Sequence, residues 1–221
     1  MRIRFKKWAR PELLASNFFI DNPQDYKNKW KTAFKNKDNK LYLELGCGKG
    51  SFISQIALDN MNINFIAIDM IDSMLGVARR TIQEKYDEAK KEVDNIKLAR
   101  FDIMQINNYF GEKDKIERIY INFCNPWPRG KHHKKRLTHS KQLELYKDFL
   151  VEDGEIYFKT DDDGLFESSI GYFKESGFEI KKITYDLDKE DNFWINYETE
   201  HEKMFKEQGI KIKALIAQKK K

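Results

Sequence analysis

Short apolar runs alternate with longer amphipathic stretches along most of this chain. Leu41-Tyr42-Leu43-Glu44-Leu45 is an apolar run that stops at Gly46, which predicts a buried strand. The stretch 51–58 follows with Phe52, Ile53, Ile56 and Ala57 at helical spacing. Further strands are predicted over 64–68, 97–101, 118–123 and 155–160. Helices are predicted over 73–90, 137–150 and 165–176, with Gly177 as a C-cap. Residues 178–185 and 210–217 read as closing strands. Each of the first five strands leads into a helix or a long connection, the pattern of a parallel sheet with right-handed crossovers. The expected fold is α/β: a mostly parallel seven-stranded sheet flanked by helices over residues 41–221. Residues 1–40 are expected to form a basic N-terminal arm.

Composition narrows the class. With 221 residues, 40% apolar and 14% aromatic, the chain can bury a full α/β core and is not of disordered type. The longest uncharged run, 119–128, is far short of the roughly 20 apolar residues that a membrane span needs. The N-terminus has no apolar signal core. Two cysteines, Cys47 and Cys124, make no disulfide framework and fit a reducing cytosol, so a cytoplasmic location is expected.

The net charge of +5 hides an asymmetry. Residues 1–10 and 129–141 hold eleven cations and no acid: Arg2, Arg4, Lys6, Lys7, Arg10, Arg129, Lys131, Lys134, Lys135, Arg136 and Lys141. The rest of the chain is therefore net acidic. Segregated positive charge is the footprint of a polyanion. The terminal Lys219-Lys220-Lys221 is expected to be a disordered tail that at most attracts RNA without specificity.

The first strand runs into Glu44-Leu45-Gly46-Cys47-Gly48-Lys49-Gly50. Glycines at a strand-to-helix turn permit positive φ and let a ligand approach the backbone. The spacing is GxGxG rather than the dinucleotide GxGxxG. Glu44 just ahead of it would repel a pyrophosphate and suits a cationic or ammonium centre. Asp69 ends the second strand, 25 residues after Glu44, and Asp102 ends the third. Acids at the carboxyl ends of successive parallel strands share a crevice. Such a crevice suits the amine, ribose and adenine of S-adenosylmethionine, and the layout resembles a Rossmann-like class I methyltransferase.

The fourth strand ends in Asn125-Pro126-Trp127-Pro128-Arg129, followed by GKHHKKRL over 130–137. Two prolines stop the strand and stiffen the loop. Trp127 beside basic residues is a base-stacking and phosphate-clamping combination. His132-His133 has no third ligand at useful spacing, and its flanking cations oppose a metal; no metal is expected. Asp161-Asp162-Asp163-Gly164 reads as an N-cap and turn ahead of a helix rather than a magnesium site. Trp8, Trp30 and Trp194 read as packing residues.

LELGCGKG, then NPWP, then KHHKKRL together resemble the bacterial tRNA (guanine-N7)-methyltransferase family. Three further segments fit: Lys7-Trp8-Ala9-Arg10-Pro11-Glu12-Leu13, Phe158-Lys159-Thr160-Asp161, and Thr199-Glu200-His201-Glu202 with Lys203-Met204-Phe205. The resemblance covers nearly the whole chain. It implies methylation of the guanine at position 46 in the variable loop of tRNA. It implies that Glu44, Asp69, Asp102 and Asn125, with the turn glycines Gly46, Gly48 and Gly50, hold S-adenosylmethionine. It implies that Arg129, Asp161, Thr199, Glu200, His201 and Glu202 contact substrate, with Asn125 and Asp161 nearest the chemistry. Trp127 is expected to stack on a base, and Lys131, Lys134, Lys135, Arg136 and Arg10 to meet phosphates. The partner is tRNA, with no DNA and no membrane; monomer and homodimer are both open. The chain departs from the family pattern at Asn125 (usually Asp), Arg129 (usually Lys) and His201 (usually Tyr).

The first departure bears on mechanism. Guanine N7 is an in-plane acceptor that carries no proton before attack, so transfer needs no general base. Alignment of nucleophile and methyl carbon is the main task. Selecting guanine by its N1–H and N2–H donors calls for a carboxylate, with Asp161 and Glu202 as candidates. Two other readings are weighed. One is an amino-group methyltransferase, whose (D/N)PP(Y/F/W) loop Asn125-Pro126-Trp127 partly mimics. The other is a non-catalytic RNA-binding relic of the fold, for which Asn125 is the sole support.

Overall fold

A computed structural model describes residues 4–190 and 193–220. Arg2 and Lys221, which belong to the basic segments noted above, lie outside the described residues. The chain divides into two compact units, Met1–Asp114 and Lys115–Lys221.

In the first unit, α1 (Ala9–Leu14) and the two-residue β1 (Phe19–Ile20) precede the sheet strands read from the sequence. Then come β2 (Lys40–Leu45), α2 (Ser51–Asp59), β3 (Ile63–Asp69), α3 (Asp72–Glu88) and β4 (Ile96–Arg100). The strands lie in the order β1-β4-β3-β2 and every pair is parallel, with Leu41 opposite Asn64, Ile68 opposite Ala99, and Phe19 opposite Leu98. Leu41, Leu43, Leu45 and Phe65 through Ile68 are fully buried, as strands covered on both faces require.

The basic arm is built into this unit rather than trailing from it. Trp30 is fully buried and stacks on Phe110 at 5.2 Å, and its indole Nε1 donates to Tyr109 O at 2.8 Å. The buried Asp114 carboxylate accepts from the backbone N–H groups of Asn28, Trp30 and Gly111 at 2.8–3.1 Å. Burial raises the Asp114 carboxyl above its ordinary pKa. Helix α1 approaches α3 so closely that a Cβ on Gly76 would sit 2.6 Å from that of Ala9. Only glycine fits there.

The second unit runs β5 (Ile116–Asn122), α4 (Ser140–Lys147), β6 (Leu150–Thr160), α5 (Asp163–Glu175), β7 (Phe178–Thr184), α6 (Glu200–Glu207) and β8 (Lys213–Lys219). Its strands lie in the order β5-β6-β8-β7. β5 and β6 are parallel, while β8 is antiparallel to both β6 and β7. Ser176 is the C-cap of α5, and Gly177, expected at that position, follows it at φ +75° in the left-handed conformation that ends the helix.

Four strands per unit make eight among the described residues, one more than the seven expected. The extra one is β1, two residues long, paired with β4 from within the arm. A two-residue strand carries too little alternation to be seen. The helix expected over 137–150 is confined to Ser140–Lys147, because residues 130–135 form a 3-10 turn and Leu150 already starts β6. The lysine tail also differs. Lys219 ends β8, and its ammonium donates to Lys147 O and Leu150 O at 2.8 and 2.7 Å.

Candidate active site

In the first unit β2 delivers Glu44 to the base of the glycine turn, where it is 2% exposed. Gly46, Gly48 and Gly50 all have positive φ, at 80°, 54° and 79°. Four of the turn's N–H groups are spent within the protein. Gly46 N and Cys47 N both donate to Ile68 O at 2.9 Å, and Gly50 N donates to Cys47 O at 2.9 Å. Gly48 N donates to the Asp69 carboxylate at 3.1 Å. A phosphate cradle would leave such groups facing the ligand, so this turn is not one. A Cβ on Gly50 would meet Ala78 Cβ at 2.9 Å, which fixes the turn against α3. A Cβ on Gly46 would meet nothing within 4 Å, so the space above the turn is open.

Asp69 is the last residue of β3, and its other oxygen accepts from Ile71 N at 2.9 Å. Burial raises its pKa against those hydrogen bonds. The Cys47 thiol is pushed well up by burial, with the Asp69 and Glu44 charges adding to it, so it is no nucleophile. Asp102 departs from expectation in detail. β4 ends at Arg100, and Asp102 is an exposed N-cap whose carboxylate accepts from Met104 N at 2.9 Å. Open space at Gly46, beside the buried Glu44 and the partly buried Asp69 carboxylates, fits the cationic methionine end and the ribose of S-adenosylmethionine.

In the second unit the chain turns sharply where β5 ends. Phe123 and Trp127 both take positive φ, 51° and 42°, which costs an L-residue of order 1–2 kcal/mol. Two hydrogen bonds hold the loop against that cost. Phe123 N donates to Lys159 O at 2.9 Å, and Arg136 Nε donates to Pro126 O at 2.7 Å. Asn125 is exposed and its side-chain oxygen accepts from Trp127 N at 3.0 Å, a local turn that an aspartate could make equally well. Trp127 lies 5.0 Å under the Lys135 ammonium and 5.7 Å from the His132 ring. Burial takes the Cys124 thiol to about 12, and the thiol is inert.

Arg129, Lys131, Lys134 and Lys135 are exposed or half-exposed around this loop. Arg136 is not: it is 3% exposed and braces Pro126, so it cannot meet a phosphate as expected. Arg10, in the first unit, pairs with Asp21 and lies 3.7 Å from Asp72, so its charge is already offset.

Asp161 follows β6 and is partly exposed; burial raises its pKa, with Asp162 adding and Lys213 and His201 opposing. Asp162 caps α5 by accepting from Leu165 N at 2.6 Å, and Asp163 pairs with Lys213 at 2.5 Å. Thr199 caps α6, accepting from Glu202 N at 3.0 Å. Glu200 and His201 are exposed. Glu202 is fully buried, and its oxygens face Lys159 Nζ at 2.6 Å and Asn196 Nδ2 at 2.5 Å. Sequence reasoning gave no role to Lys159, Asn196 or Lys213. A signal for α6 was present: Thr-x-x-Glu at 199–202 is the spacing of a capping box.

Among the described residues no group of three or more His, Cys, Asp or Glu side chains could hold a metal, and no helix is long and apolar enough to cross a membrane. Parallel strands, a glycine turn and a strand-end acid give the first unit the architecture of a class I methyltransferase. Solved structures agree on the fold. A 16S rRNA methyltransferase, KamB, matches 99% of this chain and 96% of its own at TM-score 0.59 and 11% identity. An antibiotic-related methyltransferase matches 100% and 97% at TM-score 0.57 and 15% identity.

Residues 38–215 match the family model described as "Putative methyltransferase". A tRNA (guanine-N(7)-)-methyltransferase of Clostridium beijerinckii is 58% identical over 99% of both chains. One of Acetivibrio thermocellus is 51% identical over the whole of both. The chain belongs to the tRNA (guanine-N(7)-)-methyltransferase family.

Proposed function

We propose that this chain methylates N7 of the guanine at position 46 in the variable loop of tRNA, taking the methyl group from S-adenosylmethionine. The observation that carries the reading is the presence of both the Gly46–Gly50 turn with its acids and the Asn-Pro-Trp-Pro loop with its exposed cations in a chain 58% identical to an enzyme of that name. When bound, S-adenosylmethionine supplies an electrophilic methyl group on a sulfonium. Glu44 and Asp69 hold the amine and the ribose, while Gly46 leaves the room they need. Asp102 receives the adenine edge.

Trp127 stacks a base, and Arg129, Lys131, Lys134 and Lys135 hold phosphates. Asp161 accepts from the guanine edge. The N7 lone pair attacks in line, and no proton has to leave it. Asn125 therefore serves by fixing the loop, which its hydrogen bond to Trp127 N already does. A tRNA substrate places the enzyme in the cytoplasm. The test is methyl transfer from labelled S-adenosylmethionine to unmodified tRNA, with the product nucleoside identified. The expected product is 7-methylguanosine at one site, absent with Glu44→Ala. A methylated adenosine or cytidine would assign an amino-group enzyme, and tight tRNA binding without transfer an RNA-binding relic.

A further inference from the structure

We propose that His139, the N-cap of α4, is a positioning residue that in its neutral form holds the basic 130–135 turn in place for tRNA. The inference deepens the reading above and rests on it.

His139 stands where the basic turn meets α4. Its ring Nδ1 accepts from Lys141 N at 3.1 Å, and its carbonyl accepts from Gln142 N at 2.8 Å and Leu143 N at 3.1 Å. Its own N–H donates to Arg136 O at 3.1 Å. Arg136 donates in turn from its backbone to His133 O at 3.0 Å and from Nε to Pro126 O at 2.7 Å. One unbroken run of hydrogen bonds thus joins the first turn of α4 to the 3-10 turn that carries Lys131, Lys134 and Lys135, and to the Asn-Pro-Trp-Pro loop.

Helices are usually capped by Ser, Thr, Asp or Asn. An imidazole nitrogen differs from those oxygens, because it accepts only while it carries no proton. Protonation takes the acceptor away from Lys141 N and sets a cation on a helix N-terminus, where the dipole is already positive. The surroundings favour the neutral ring. Burial first, then the charges of Lys141 on α4 and of Lys134 and Arg136 in the turn, hold its pKa below the ordinary histidine value, against Glu175 of α5. The Tyr172 ring of α5 packs on it at 4.7 Å. Loss of the cap leaves α4 anchored, since Tyr146 Oη still donates to Leu137 O at 3.0 Å and the Thr138 and Ser169 hydroxyls still bond at 2.6 Å. What loosens is the link between α4 and the turn that presents the cations.

The test is the Kd for unmodified tRNA of full-length wild type, His139→Asn and His139→Ala, from about pH 8 to about pH 5, the span over which a histidine titrates. Asparagine keeps a capping acceptor and cannot titrate. At the alkaline end His139→Asn is expected to match wild type, and His139→Ala to bind about fivefold more weakly, the weight of one lost N-cap. On acidification wild type is expected to weaken relative to His139→Asn by up to about fivefold and to approach His139→Ala. The other histidines are common to all three proteins, so their titration cancels in the ratio.

A wild-type to His139→Asn ratio that stays constant with pH would overturn the proposal. So would wild type that tightens relative to His139→Asn on acidification, the behaviour of a plain surface cation. His139→Ala that binds like wild type at the alkaline end, or His139→Asn that binds like His139→Ala there, would overturn it too. If His139→Ala does not fold, the ratio of wild type to His139→Asn carries the test alone. Wild type that binds tRNA but forms no 7-methylguanosine would strike the proposed function and leave this comparison standing, whereas wild type that binds no tRNA would strike both.

Discussion

The glycine turn of the first unit and the proline loop of the second both redirect a chain leaving a parallel strand, but by opposite means. The turn uses Gly46, Gly48 and Gly50, for which positive φ is cheap, and is held mainly by its N–H groups on the end of β3, at Ile68 O and the Asp69 carboxylate. The loop forces Phe123 and Trp127 into the same region of φ and is restrained by Lys159 O and by the side chain of the buried Arg136. A turn built on glycines carries little conformational strain. A site made from side chains depends on buried charges that must stay paired. Mutation should therefore damage the two in different ways.

The largest effect is expected at the buried pair. Lys159→Met strands Glu202 and should cost about 3–5 kcal/mol in urea denaturation. Replacing both partners by apolar residues should recover much of that loss, because the carboxylate is no longer left without its cation. A single-variant cost near zero would show that the loop does not depend on the pair. At the turn, Gly50→Ala puts a Cβ against the Ala78 backbone at 3.0 Å with φ at +79°, and overpacking of this kind costs about 1–3 kcal/mol. Calorimetry should find cofactor affinity weakened along with stability, whereas Lys159→Met leaves that affinity intact.

The third expectation concerns pH. Burial raises Asp161, so the folded protein keeps this proton to higher pH than the unfolded chain does. Its contribution to stability therefore falls as pH rises from the ordinary carboxylate value through the raised one. Methylation that needs the ionised form should climb over the same interval. Asp161→Asn should flatten both slopes in denaturation and pH–rate profiles; a climb that persists would assign it to another group.

The smallest effect separates exposed cations from the buried one. Lys134→Gln and Lys135→Gln should each lower the salt slope of tRNA binding by roughly 0.7–0.9, the value of a single neutralised phosphate. Arg136→Gln should leave the slope unchanged and loosen the loop instead.

Much of the first unit's glycine turn was legible in the sequence because its residues recur at a readable spacing. The strand, the GxGxG turn and Asp69 follow each other at fixed spacing, and the structure keeps them there. The arm's helix and its edge strand were missed because six residues and two residues are too short for a period to show. The Arg136 expectation failed for a different reason. A run of basic residues reads as solvated, and nothing in KHHKKRL says which cation turns inward to Pro126. The burial of Glu202 was hidden for a like reason, since its partner Lys159 lies 43 residues earlier.

The proposed reaction needs no carboxylate at residue 125, since guanine N7 has no proton to lose and the side-chain oxygen there braces Trp127. The direct measurement is the single-turnover rate of 7-methylguanosine formation by wild type and Asn125→Asp at saturating tRNA and cofactor. Rates within about tenfold of each other are expected, below what general-base assistance contributes. A gain of about a hundredfold or more in Asn125→Asp would identify the carboxylate as a missing catalytic group and contradict the account.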